Sequence, residues 1–133
     1  MATLEDVRRL ALAMPETSES ESRDGTAFWR VRDKLFVWER PLRKSDLAAL
    51  GEDAPDGTIL GVRVPDEGAK HALIAEQPEY FFTTPHFNGY PAVLVMLDAI
   101  PVDELEELVV EAWLDRAPVR VRKAYLAEST GST

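Results

Sequence analysis

The sequence contains no cysteine, only two histidines and no long apolar run. Without cysteine the chain has no disulfide, no thiolate metal ligand and no cysteine nucleophile, and nothing indicates an oxidising compartment. The longest uninterrupted apolar run, Ala92–Leu97, is far shorter than the roughly 20 residues that a membrane-spanning helix needs. The first residues lack the basic and apolar regions of a signal peptide. We therefore expect a cytoplasmic protein with no membrane partner.

The sequence also lacks the motifs of common enzyme chemistry. Its seven glycines are scattered, and no glycine-rich phosphate-binding loop passes through them. No serine nucleophile motif accompanies either histidine, His71 or His86. The carboxylates lie mainly on predicted helix faces and not at the spacing of metal ligands. We therefore expect a non-enzymatic protein with no catalytic residue, metal site or cofactor, and catalysis by His86 is the least favoured of three functional alternatives.

Length and charge limit the remaining functions. With 133 residues, of which 45% are hydrophobic, the chain predicts a single domain over residues 1–133 with a sizeable core. Its net charge of −9 argues against a surface that binds polyanions everywhere. The charge is uneven, because Arg23–Lys44 has seven basic and three acidic residues and Arg116–Lys123 has four basic and no acidic residues. These basic segments indicate either a partner of opposite charge or ordinary solvated faces.

The hydropathy pattern predicts an α+β fold in which helices pack against an antiparallel sheet. Two segments rich in aromatic and β-branched residues, Thr26–Val31 and Leu35–Arg40, flank a polar turn and predict a hairpin. Further strands are expected at Thr58–Val64 and Ala92–Leu97. Apolar residues at helical spacing predict an opening helix from residue 4, a helix over 66–76, a long helix from Pro101 that ends before Ala117-Pro118, and a short C-terminal helix.

Two further segments, Glu16–Asp24 and the helix over 66–76, give specific expectations about exposure and burial. Glu16–Asp24 is acidic, rich in serine and without apolar residues, so we expect a mobile surface connection with no core. The helix over 66–76 is expected to bury Ala69, Ala72 and Leu73, which recur at helical spacing.

Cations and aromatic rings interleave on the predicted hairpin and on the strand that follows it. Alternation along Thr26–Val31 puts Phe28 and Arg30 on one face, and Arg63 of the third strand is expected to share that face. Rings mixed with guanidinium groups suit phosphates and stacked bases. The alternative is that the tryptophans belong to the core and the arginines cover it. The first hypothesis is a nucleic-acid-binding surface, with DNA as the partner, formed by Arg30, Arg32, Lys34, Arg40, Arg43 and Arg63.

The stretch Phe81–Pro91 predicts a rigid loop that leads into a buried strand. Pro85 and Pro91 fix φ, and Asn88-Gly89 is a turn pair that tolerates positive φ. Because polar and aromatic groups gather in the second part of this stretch, the second hypothesis is a pocket under the loop His86–Pro91 for a small molecule or a protein. The candidate ligand-binding residues are His86, Asn88, Tyr90 and Trp38.

Several segments together resemble the MmcQ/YjbR family along nearly the whole chain. The resemblance rests on the opening helix Leu4–Leu12, on Gly25–Phe36, on the loop and strand Phe81–Val95, and on Leu105–Trp113 followed by Ala117-Pro118. It implies an α+β domain with an antiparallel sheet, for which a double-wing, DNA-binding role has been proposed, and it implies no enzymatic activity. The wing-like features would be the hairpin turn at Arg32-Asp33-Lys34 and the loop His86–Tyr90.

Overall fold

A computed structural model describes residues 2–131 as a six-stranded antiparallel sheet with five α-helices. The strands are β1 (Thr17–Glu21), β2 (Ala27–Val31), β3 (Lys34–Glu39), β4 (Ile59–Arg63), β5 (Phe81–Phe82) and β6 (Ala92–Met96). The helices are α1 (Leu4–Leu12), α2 (Lys44–Leu50), α3 (Glu67–Glu76), α4 (Val102–Arg116) and α5 (Val119–Gly131), with short 3-10 turns at Gly51–Asp53 and Pro85–Phe87. The strand order is β1-β2-β3-β4-β6-β5. The predicted α+β fold is confirmed.

None of the helices in residues 2–131 is both long enough and apolar enough to cross a membrane.

The main core lies on the inner face of the sheet, which α1 and α4 cover. Thr3 caps α1 through a reciprocal pair of hydrogen bonds with Asp6, and Val7 lies on the buried side of that helix. Trp113 of α4 is fully buried, and its indole Nε1 donates a 3.0 Å hydrogen bond to the backbone oxygen of Pro15. Strand alternation supplies the other half of this core, because Leu60, Val62, Val93 and Val95 all point to the inner face.

The segment expected to be a mobile connection forms edge strand β1, so that expectation was wrong. Its backbone pairs with β2 from Thr17 opposite Val31 to Glu21 opposite Ala27. The strand is held by polar contacts, since Glu19 accepts hydrogen bonds from Arg8 of α1 and from the indole of Trp29. A strand without apolar side chains gives no hydropathy signal, and charged residues are well suited to an exposed sheet edge.

Helix α3 begins after its N-cap Asp66 and ends at Glu76, as predicted, but its buried side chain is a lysine. Ala69 and Leu73 are half-buried, whereas Ala72 is exposed, which corrects the expected apolar side. Lys70 is only 1% exposed. Its Nζ atom donates a 2.8 Å hydrogen bond to the backbone oxygen of Phe87 and lies 2.8 Å from the Glu67 carboxylate. The lysine thus connects α3 to the loop before β6.

The outer face of the sheet carries a second, smaller apolar cluster. Ile59, Leu94 and Phe87 are buried there, with Trp38 and Leu42 packed against them. Helix α2 contacts the turn Pro85–Phe87, whose Phe87 belongs to this cluster. The remainder of the outer face is open, and the candidate site lies there.

Candidate ligand-binding groove

A groove of about 680 Å³, here called the outer groove, lies between the β2–β3 hairpin and the loop that precedes β6. Its lining combines aromatic rings with three arginines and one histidine. These residues are Phe28, Trp38, Phe87 and Tyr90, Arg30, Arg40 and Arg43, and His86. The groove therefore has the size of a small-molecule site and an unusual content of rings and cations.

The floor of the outer groove includes the indole of Trp38, which lies over Gly61. The two residues are register partners on β3 and β4. A Cβ atom placed on Gly61 would lie 2.4 Å from Cε2 of Trp38, much closer than van der Waals contact permits. Only glycine at position 61 leaves room for the ring, so this residue pair determines where the indole lies.

Phe28 continues the aromatic floor and supports a cation. It is the register partner of Trp38 on β2, and both rings are half-buried. The guanidinium carbon of Arg30 lies 4.8 Å from the centroid of the Phe28 ring, which is cation–π distance. Arg30 is exposed, so the groove presents a positive charge beside partly accessible ring surface.

Arg40 is a buried cation in the wall of the outer groove. It is 6% exposed, and its guanidinium carbon lies 5.1 Å from the centroid of the Phe87 ring. One terminal nitrogen donates to the backbone oxygen of Pro41. The other, Nη2, lies 3.1 Å from Asp46 Oδ2. Nη2 is thus ion-paired with Asp46, and the remaining N–H groups of Arg40 can donate to an anion in the groove.

Asp46 keeps this arginine paired. It is 1% exposed, and burial opposes its ionisation, but the backbone N–H of Arg43 and the charge of Arg40 together hold the pKa of Asp46 below its usual range. The Arg43 N–H donates to Asp46 Oδ2 at 2.8 Å. The carboxylate is therefore ionised at neutral pH. It caps the N-terminus of α2 and compensates the charge of Arg40.

The loop wall of the groove is fixed from behind by two cations. Asn88 and Gly89 form a tight turn, with Gly89 at φ +80° and the Tyr90 N–H donating to the Phe87 oxygen at 3.0 Å. Arg63 Nη1 donates a 3.1 Å hydrogen bond to the Tyr90 hydroxyl, and its guanidinium carbon lies 5.0 Å from the ring centroid. Together with Lys70, this arginine holds the backbone and ring of the loop against the sheet.

Two acidic residues, Asp24 and Glu39, also line the groove. Each is engaged in local structure. The hydroxyls of Ser22 and Thr26 donate to Asp24 and lower its pKa, and Glu39 accepts a 3.2 Å hydrogen bond from the Ala27 N–H. Within residues 2–131 no cluster of three or more histidine or acidic side chains is arranged to hold a metal ion.

The structure divides the basic residues that the sequence suggested as one surface. Arg30, Arg40 and Arg43 line the outer groove, and Arg63 supports it through Tyr90. Arg32 lies in the hairpin turn at φ +58° and pairs with Glu16 on the side of β1. Lys34 is exposed and does not line the groove.

The residues suggested for a separate pocket join the same groove. His86, Tyr90 and Trp38 line it together with the arginines, whereas Asn88 contributes to the turn and not to the lining. The two sequence hypotheses therefore converge on one site, in which hairpin and loop face each other.

Sequence reasoning missed the two residues that hold this site in place. The sequence pattern indicated no site role for Asp46 or Lys70. A signal for Lys70 was present, since it lies four residues before half-buried Ile74 on one side of α3. The pairing of Asp46 with Arg40 had no comparable signal, because hydropathy does not reveal a buried ion pair.

Comparisons with known proteins agree with this architecture. The family model described as YjbR matches residues 12–114. Uncharacterized proteins of Mycobacterium bovis and Mycobacterium tuberculosis are 55% identical over 132 residues, which covers 97% of this chain and 99% of each relative. A crystal structure of a Deinococcus radiodurans protein with a domain of the family DUF419 aligns with a TM-score of 0.63 and 21% identity, over 100% of this chain and 83% of that one. The last similarity concerns the fold alone.

Proposed function

The chain belongs to the YjbR family, and on that premise we propose that it binds, without catalysis, a small ligand that joins a planar ring to an anionic group. A mononucleotide is the simplest ligand of this kind. Phe28 and Trp38 offer ring surface for stacking, and Arg30, Arg40 and Arg43 supply positive charge within the same groove. The volume of about 680 Å³ falls in the usual range of small-molecule sites.

The observation that carries this proposal is the buried position of the Arg40 guanidinium group in the groove wall. The group is buried over the Phe87 ring, and its Nη2 lies 3.1 Å from Asp46 Oδ2 as an ion pair. A guanidinium group has five N–H donors, and the contacts with Pro41 and Asp46 leave some of them for a further acceptor. A phosphate or carboxylate oxygen is the acceptor best suited to a guanidinium group.

We propose binding without catalysis because His86, the histidine that lines the groove, has within residues 2–131 no neighbouring side chain that would assist it in acid–base catalysis. It is exposed and packs edge-on against Phe87, with ring centroids 5.0 Å apart. Within the described residues it has no carboxylate or hydroxyl partner that would orient it as a general base. A ring at this position suits contact with a ligand better than proton transfer.

A thermal-shift experiment with three probes tests the proposal. Adenosine monophosphate should raise the melting temperature more than adenosine or inorganic phosphate alone, because only the nucleotide uses both rings and cations. The stabilisation should disappear in Tyr90→Ala and in His86→Ala. Asn88→Ala is the matched control, since Asn88 lies in the same loop but outside the groove lining. Absence of stabilisation by all three probes would contradict the proposal.

Single-stranded nucleic acid is a second candidate ligand. The specific observation in its favour is the pair of aromatic residues on an open sheet face, with Arg30 stacked on Phe28, because such faces bind successive bases by stacking. Duplex DNA is less well supported, because Arg32 and Lys34 lie outside the groove and the chain carries −9 overall.

Titrations with oligonucleotides distinguish the two candidates. If the ligand is single-stranded nucleic acid, short oligonucleotides should bind much more tightly than a mononucleotide, and affinity should fall as salt rises. If the ligand is small, lengthening the oligonucleotide should bring no gain in affinity.

A further inference from the structure

A second groove, of about 660 Å³, lies between α3 and α4 and shares no lining residue with the outer groove. This α3–α4 groove has an apolar floor that includes Leu73, Phe81 and Leu108. Acidic side chains of both helices surround the floor. They are Glu76, Glu104, Glu107 and Glu111.

Three of these glutamates form a row along one side of α4. Glu104, Glu107 and Glu111 follow one another at helical spacing, so the row is about 10 Å long at 1.5 Å per residue. Glu104 accepts a hydrogen bond from the Tyr80 hydroxyl. Glu107 and Glu111 form no ion pair within the part of the chain that the structure describes. An apolar floor beside four glutamates, with Arg63 as the one basic side chain among the described lining residues, fits a helix with both apolar and basic residues on one side.

Helix α5 has these features. Val119 is 54% and Leu126 43% exposed, and they lie seven residues apart on one side of the helix. Arg120 and Lys123 lie between them and are exposed as well. The segment from Val119 to Leu126 is about 10 Å long, which matches the row of glutamates. Arg122 binds within its own chain, since it donates a 3.1 Å hydrogen bond to the backbone oxygen of Leu114.

We propose that two copies of the chain associate, with α5 of each copy bound in the α3–α4 groove of the other. No described residue of α5 lines the groove of its own chain, so the groove is available to a second copy. The contact is reciprocal, as in a two-fold dimer, and occurs twice. Local complementarity is needed because each chain carries −9 and two copies otherwise repel.

Charge-reversal variants test this association better than a change in salt concentration does, since salt screens both the local attraction and the overall repulsion. Sedimentation equilibrium of the full chain should show a dimer for the wild type. The groove variant, Glu107→Lys with Glu111→Lys, and the helix variant, Arg120→Glu with Lys123→Glu, should each dimerise at least about tenfold more weakly, since both contacts become repulsive. All four positions are exposed, so folding should be retained, and circular dichroism checks it.

Mixing the two variants gives the decisive result. The groove variant keeps its basic α5, which fits the acidic α3–α4 groove of the helix variant. The helix variant has an acidic α5, which fits the basic α3–α4 groove of the groove variant. A one-to-one mixture should therefore recover the dimer. The matched control is Glu106→Lys with Asp115→Lys, which makes the same charge change on exposed positions of α4 outside the groove and should leave association intact. A monomeric wild type, unaffected variants, or a mixture that stays monomeric would overturn the proposal.

Discussion

Lys70 Nζ donates a 2.8 Å hydrogen bond to the backbone oxygen of Phe87, and this buried contact ties helix α3 to the wall of the outer groove. Phe87 in turn packs under Arg40, the buried cation of that groove. A lysine that is 1% exposed therefore determines the position of a loop whose side chains His86 and Tyr90 face the ligand site.

Lys70→Met is expected to destabilise the protein. Methionine retains the apolar length of the side chain but cannot donate, so the buried Phe87 oxygen loses its partner. The loss should be about 1–3 kcal/mol in the free energy of unfolding, measured by urea denaturation. Lys44→Met, which removes the charge of an exposed lysine on α2, is the control and should change stability by less than about 0.5 kcal/mol. Equal losses in both variants would refute a special role for Lys70.

Gly61→Ala is expected to displace the indole of Trp38. The new Cβ atom would meet the ring at 2.4 Å, so the side chain or the strand must shift, at a cost of about 1–3 kcal/mol. Urea denaturation measures the cost, and tryptophan fluorescence reports the displacement. Gly68→Ala on α3 is the control, because its Cβ would come no closer than 3.3 Å to another group, the Asp66 carboxylate oxygen that caps the helix, and alanine favours a helix. An unchanged stability and spectrum for Gly61→Ala would show that the ring lies elsewhere.

Glu19→Gln is expected to make stability less dependent on acidic pH. Hydrogen bonds from Arg8 and from the Trp29 indole hold the pKa of Glu19 below its usual range. A carboxylate with a lowered folded-state pKa adds stability above its unfolded pKa, about 4.3, and this contribution is lost as pH falls through the lower folded value. The wild type should therefore exceed the variant by no more than about 1 kcal/mol near pH 7, since Arg8 is partly exposed.

The measurement for Glu19 is urea denaturation of both proteins from pH 7 to pH 3. The difference between them should narrow below about pH 4. Glu21→Gln, on an exposed residue of the same strand, should follow the wild type throughout. A difference between wild type and Glu19→Gln that grows toward acidic pH would have the wrong sign for this explanation.

Much of the fold was predictable from local pattern. The hairpin of β2 and β3, the buried strand β6 and the long helix α4 follow directly from alternation, apolar runs and helical spacing. Strand β1 was not predictable in this way, because its stability comes from backbone pairing with β2 and from Glu19 contacts that hydropathy cannot register.

The sequence pattern indicated several residues that line the outer groove, among them Arg30, Trp38 and His86, but not how they come together. Trp38 and His86 are far apart in sequence, and only the sheet order, with β4 between β3 and β6, brings hairpin and loop to opposite walls of one groove. Alternation correctly placed Arg30 on the open face, but it could not show that Arg32, two residues later, turns toward Glu16 through a positive φ.

Calorimetric titration of adenosine monophosphate into a matched pair of arginine variants tests the binding groove most directly. Arg30 lies on β2 and Arg32 in the turn two residues later, and of the two only Arg30 lines the outer groove. The wild type should bind the nucleotide saturably, Arg30→Gln should bind it at least about tenfold more weakly, and Arg32→Gln should match the wild type. Failure of the wild type to bind, or an equal loss in both variants, would contradict the account.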